Sequence, residues 1–198
     1  MATLAWPCSG FSRENMPTAS VGMAPGPTSV EMDQFVYEAN DERATAALGA
    51  ALAEVLPDGT TVALCGTLGA GKTRLVQAIA EAAGVDRRDV LSPTFVLMQE
   101  HHGRRAICHI DAYRLRDEDE FLALGPEEYF DGDGLVLVEW ADRVENCLPK
   151  DRIEIHIDVT GPQSRRFEVI AIGERYAQVV RQLARISHHG GADIPVCP

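Results

Sequence analysis

Eight consecutive residues, Gly66-Thr67-Leu68-Gly69-Ala70-Gly71-Lys72-Thr73, carry the ingredients for gripping a polyphosphate. Their glycines allow backbone conformations that side chains forbid. The loop amides can then wrap a phosphate, and a helix starting behind them adds the positive end of its dipole. Lys72 offers an ammonium to β- and γ-phosphates, and Thr73 offers a hydroxyl to Mg²⁺. The full pattern, G-x-x-x-x-G-K-T, lies between a β-rich run and a helix-forming run, which separates it from a chance glycine-rich turn.

A phosphate-bound metal needs a second carboxylate at a strand end. Glu139 ends the apolar run Leu135-Val136-Leu137-Val138, and Asp111 follows Ile107-Cys108-His109-Ile110. Each would emerge at the phosphate edge if its strand flanks that of the glycine loop. Taken alone, either is equally a solvated strand-end carboxylate. Ser92-Pro93-Thr94 follows the loop helix, where a threonine can sense a γ-phosphate through Mg²⁺ or simply enter a strand. Trp140 packs near a nucleotide or partner, or is a core or rim residue. His109 reads as a satisfied sheet residue rather than a catalyst. The acidic run Asp117-Glu118-Asp119-Glu120 reads as a solvated helix face, and the tail histidines lack zinc-site spacing.

The elements that must position these groups follow from periodicity. A strand is predicted over 34–38, then a helix over 42–56, capped by Asn40 or Asp41 and carrying Ala44, Leu48, Leu52 and Leu56 at helical spacing. Pro57-Asp58-Gly59 turns into a strand over 60–65, and the loop helix spans 72–83 with Gly84 as its C-terminal cap. Strands are predicted over 94–101 and 105–110, joined at His102-Gly103, then a helix over 117–125, broken by Gly125-Pro126. Buried strand 135–139, alternating strand 153–159, strand 166–172 and a helix over 174–186 complete the set. The expected class is α/β, a P-loop NTPase fold with a mixed central sheet flanked by helices. Residues 1–30, rich in Pro, Gly, Ser, Thr and Met, read as a disordered leader. Met23 and Met32 are candidate start residues. Residues 31–186 form the folded domain and 187–198 a flexible tail.

With 198 residues the chain suits one domain. Its net charge of −12 argues against gripping nucleic acid unaided, which needs a basic surface. No apolar stretch approaches the ~18 residues of a membrane span. There is no signal-peptide pattern. The odd set of five cysteines, without a C-x-x-C pair, reads as reduced thiols in a cytoplasmic protein.

Five blocks occur in one order and spacing: Gly66–Thr73, Ser92-Pro93-Thr94-Phe95, His109-Ile110-Asp111-Ala112-Tyr113-Arg114-Leu115, Val138-Glu139-Trp140 and Glu154-Ile155-His156-Ile157-Asp158. Together they resemble the TsaE (YjeE) family, the bacterial ATPases of tRNA threonylcarbamoyladenosine biosynthesis, over roughly residues 35–172. The resemblance implies binding and slow hydrolysis of ATP with Mg²⁺. It also implies association with the TsaB–TsaD pair that modifies adenosine 37 of tRNAs reading ANN codons. Hydrolysis would reset that complex, and tRNA would be met only through it. By position, Leu68, Gly69, Ala70, Gly71, Lys72 and Thr73 would bind phosphates, and Thr73 and Glu139 would bind Mg²⁺. Glu42 would lie near the nucleotide, Thr94 would be the switch threonine, and Lys72, Asp111 and Glu139 would serve catalysis. A residue near Ser164 or Arg165 would close over the nucleotide. One departure stands in the loop: Thr67 replaces the family's aspartate, which bears on turnover or complex formation rather than on phosphate binding. Arg114 and Arg143 are candidates for an arginine finger, and a partner could equally supply one. Two rival readings are a small-molecule kinase, for which no arginine-bearing lid is evident, and a binding module in which hydrolysis is incidental.

Overall fold

The computed structural model describes residues 33–189, so the expected leader and residues 190–198 of the expected tail lie outside the described residues. In chain order the elements are β1 (Gln34–Ala39), α1 (Glu42–Val55), β2 (Thr61–Gly66), α2 (Lys72–Ala82), β3 (Met98–His102), β4 (Ala106–Asp111), α3 (Glu118–Leu122), α4 (Glu127–Phe130), β5 (Leu135–Glu139), β6 (Arg152–Val159), β7 (Arg165–Ile172) and α5 (Ala177–His189). The strands form one sheet in the order β1-β7-β6-β2-β5-β4-β3. Its centre, β6-β2-β5-β4, is parallel, while β1, β7 and β3 join antiparallel at the two sides.

Alternation along the central strands explains why both sheet faces are covered. Val62 and Leu64 of β2, Leu135 and Leu137 of β5 and Ile107 of β4 pack into the cluster beneath α1, α2 and α5. The intervening Ala63, Val136, Val138, Cys108 and Ile110 pack into a second cluster with Phe121 of α3 on the opposite face. Two faces of apolar residues on parallel strands require helical or loop cover on both. Helix α1 begins at an Asp41 cap that accepts from the Ala44 amide at 2.8 Å. It packs closely on α2 because Gly49 carries no Cβ to meet Ala78.

Three segments differ from expectation. The strand predicted from 94 begins only at Met98, because 94–97 forms a turn in which the Leu97 amide donates to the Pro93 carbonyl at 2.5 Å and Leu97 takes φ 68°. The helix predicted over 117–125 stops at Leu122, and Gly125, at φ 69°, redirects the chain into the short α4. Helix α5 continues to His189 rather than ending at 186. Among the described residues, Cys65, Cys108 and Cys147 are free thiols, and no helix is long and apolar enough to cross a membrane.

Candidate functional site

The C-terminal ends of β2, β5 and β4 lie side by side. Register places Leu64 beside Glu139, and Glu139 beside Asp111. Glu139 therefore ends the strand adjacent to the glycine-loop strand, and Asp111 ends the next one out. The two-residue period puts His109, Asp111 and Glu139 on the sheet face that α2 covers.

The loop from β2 to α2 depends on Gly69 and Gly71, at φ 77° and 106°. These values lie in the left-handed region that favours glycine. Gly71 caps α2, and no side chain there satisfies the first helical amides. Those amides and the helix dipole leave an end suited to an anion.

Lys72 is only 4% exposed. Its Nζ donates to the Gly66 carbonyl at 2.7 Å and to the Thr67 carbonyl at 3.1 Å, and lies 3.5 Å from the centroid of the Trp140 ring. Burial pushes its pKa down, against the acids Glu139, Asp142 and Asp111, which raise it. Trp140 sits at φ 59°, a left-handed conformation that costs a non-glycine residue energy. Tyr113 packs against the same indole, with ring centroids 4.9 Å apart. Trp140 is partly buried, packed against the second core cluster on one side and lining the cavity beside the glycine loop on the other, so the rim reading of this residue holds and its ring also meets Lys72.

Both carboxylates are buried and fully engaged, as charges taken out of water must be. Thr73 Oγ1 donates to Glu139 Oε2 at 2.9 Å, and His109 Nε2 lies 2.9 Å from Glu139 Oε1. Asp111 Oδ2 accepts from Ser92 Oγ at 2.7 Å and Thr94 Oγ1 at 2.6 Å, while Oδ1 accepts from the Tyr113 amide at 2.9 Å. The Asp111 amide donates to the Leu97 carbonyl at 2.9 Å. The 92–97 segment is thus folded onto Asp111 instead of extending β3, which explains the late start of that strand.

A cavity of about 300 Å³ is bordered by Gly69, Lys72, Thr73, Thr94, Asp111 and Glu139, with Leu68 also at its margin. A second cavity, about 460 Å³, opens on the other side of the loop and is bordered by Glu42, Thr45, Ala70, Arg74, Arg165 and Phe167. Gly71 borders both. Glu42 pairs with Arg74 at 3.5 Å and Arg87 at 3.9 Å. Arg165 of β7 donates from Nε to the Ala70 carbonyl at 2.8 Å and from Nη2 to the Gly69 carbonyl at 3.3 Å, which ties the loop to the sheet.

Every residue singled out from the sequence for phosphate, metal or catalysis borders one of these two cavities. The arginine candidates are differently disposed. Arg143 donates to the Leu115 carbonyl at 2.7 Å, and the Arg114 guanidinium stacks 4.2 Å over the Phe95 ring. Sequence reasoning missed the contact between His109 and Glu139. The alternation of β4 carried the signal, since His109 shares a face with Asp111.

The oxygen donors of Thr73, Glu139 and Asp111 suit a hard cation, and Mg²⁺ binds through one or two carboxylates completed by phosphates and water. Among the described residues no group of three or more His, Cys, Asp or Glu is arranged to hold a metal by itself. The donor set therefore fits a cation that arrives with a phosphate.

The family model for the threonylcarbamoyl adenosine biosynthesis protein TsaE matches residues 39–167. A Bacillus subtilis protein named tRNA threonylcarbamoyladenosine biosynthesis protein TsaE is 37% identical over 155 residues, spanning 78% of this chain and 96% of the relative. A Streptomyces coelicolor protein of the same name is 39% identical over 140 residues, 66% of this chain and 92% of its own. The crystal structure of Bacillus subtilis YdiB superposes with a TM-score of 0.67 at 31% identity, covering 80% of this chain and 99% of that one.

Proposed function

This chain belongs to the TsaE family, and on that premise we propose that it is a Mg²⁺-dependent ATPase serving threonylcarbamoyladenosine formation on tRNA. The observation that carries the proposal is the convergence of Lys72, Thr73, Glu139 and Asp111 on one cavity at the mouth of the glycine loop. The triphosphate occupies that cavity, and the nucleoside extends over Gly71 into the larger cavity beside Glu42 and Arg165. Its partners are the TsaB and TsaD homologues, tRNA is met only through them, and the setting is the cytoplasm.

Lys72 already points at oxygen atoms, since two loop carbonyls and the Trp140 ring hold it. On binding, phosphate oxygens replace those carbonyls, so little reorganisation is needed. Bound Mg²⁺ supplies charge neutralisation on the phosphates, and Thr73 and Glu139 hold it. Asp111 keeps Thr94 against the cavity, and Asp111 or Glu139 orders the attacking water. Neither arginine singled out from the sequence stands free for the γ-phosphate, with Arg114 stacked on Phe95 and Arg143 on a carbonyl. Slow turnover alone and faster turnover with partners follow from that.

Phosphate release from Mg-ATP tests the reading. Wild-type protein should turn over, and Lys72→Ala should lose at least ~10²-fold, the scale of removing one preorganised charge-stabilising donor. Equal rates in the two proteins would contradict it.

A further inference from the structure

Glu139 touches two side chains, and the proposed function uses only one of them. Its Oε2 receives the Thr73 hydroxyl, while its Oε1 faces His109 Nε2 at 2.9 Å. His109 is fully buried in the central sheet, on the strand next to that of Glu139. The other ring nitrogen, Nδ1, is buried without a hydrogen-bond partner, and so is Nε2 of the neighbouring His101, whose ring centroid lies 6.2 Å away. A buried, partnerless N–H is costlier than a bare ring nitrogen, and a bare Nε2 would set a lone pair against a carboxylate oxygen. Both considerations put the proton on Nε2.

We infer that His109 is the positioning residue of Glu139: its Nε2–H fixes Oε1 and thereby turns Oε2 toward Thr73 and the phosphate cavity. The inference rests on the functional reading above for its consequence, though not for its geometry. A glutamate has three rotatable side-chain bonds, and nearby Lys72 attracts it electrostatically. Without His109, either oxygen can swing toward the ammonium or Thr73. With Oε1 held, a single carboxylate orientation is presented to Thr73. Partners behind a metal-holding group typically matter by about 10–100-fold in metal affinity or activity. The nucleotide itself is gripped by the loop and Lys72, so its affinity does not depend on His109.

Two measurements on the full chain test this. The first needs no nucleotide. Long-range ¹H–¹⁵N spectra of the imidazoles should show His109 protonated at Nε2, with a signal that shifts in Glu139→Ala. A proton on Nδ1 with a bare Nε2 would overturn the inference. The second measures Mg²⁺ half-saturation of ATP turnover beside nucleotide affinity. His109→Leu should raise the Mg²⁺ requirement and lower turnover by about tenfold or more, with nucleotide affinity within about twofold of wild type. His109→Gln, whose amide N–H reaches the Nε2 position, should recover most of the loss. Wild-type Mg²⁺ dependence and rate in His109→Leu would overturn the inference. So would equal loss in the leucine and glutamine variants. If the wild-type protein hydrolyses no ATP with or without partners, the functional reading falls, and the imidazole spectra still decide the positioning role.

Discussion

At the scale of single residues, the site is a set of buried charges each held by named partners. Asp111 shows the arrangement most fully, accepting two hydroxyls and one amide. Asp111→Ala should therefore act twice. It removes the charged acceptor of the Ser92 and Thr94 hydroxyls, which lie 2.6 Å apart and can turn to each other or to water. A denaturant titration should therefore show the net loss of hydrogen bonds to a charged group, about 1.5–3 kcal/mol. It should also lower ATP turnover by ~10²-fold or more if the carboxylate helps order water. The thiols respond to pH in a defined direction. Burial pushes Cys65 up to about 11 and Cys108 up to about 12, from an ordinary value of 9.0. A raised folded-state pKa gives stability that is whole below the unfolded-state value and lost as pH rises through the folded one. Unfolding free energy should thus fall between pH 9 and 12, and iodoacetamide at pH 8 should modify Cys108 faster in denaturant than in buffer. Unchanged stability across that window would contradict the burial assigned to these side chains.

At the scale of elements, loop and helix packing set the geometry. Arg165 ties the glycine loop to β7 through the Ala70 and Gly69 carbonyls. Arg165→Ala should loosen the loop and weaken nucleotide binding by about tenfold, the scale of a charged hydrogen bond, as isothermal titration would report. Gly49 marks the crossing of α1 and α2. A Cβ there would overlap the Ala78 side chain and lie 2.9 Å from its carbonyl carbon. Gly49→Ala should cost about 1–3 kcal/mol by thermal or chemical denaturation. Most elements were legible in the sequence because apolar spacing fixes a strand or helix wherever local propensity and burial agree. The segment 94–97 was not legible, because Thr94 answers to Asp111, 17 residues away in sequence, rather than to its own β-propensity. The break at 122–125 was marked by Gly125-Pro126, though the acidic run made the helix look longer than it is.

At the scale of the whole molecule, sheet order is what joins the separated blocks. Glu139 and Asp111 could be named from the sequence as strand-end acids, yet only the order β2-β5-β4 makes them neighbours of each other and of the loop. The same order brings His109 behind Glu139, a contact that no spacing along the chain announces. Thr67, where the sequence resemblance implies an aspartate, is exposed at the loop, and its backbone carbonyl receives Lys72. The substitution therefore leaves the lysine anchor intact. The net charge of −12 argues against the chain gripping tRNA unaided.

The central claim is that ATP turnover at this loop sustains tRNA modification. The direct measurement is multiple-round threonylcarbamoylation of tRNA in a mixture reconstituted with TsaB and TsaD homologues, comparing wild-type protein with Lys72→Ala. The account predicts continued rounds with wild type and at most a single round with the variant. Continued rounds with Lys72→Ala, at the wild-type yield, would contradict it.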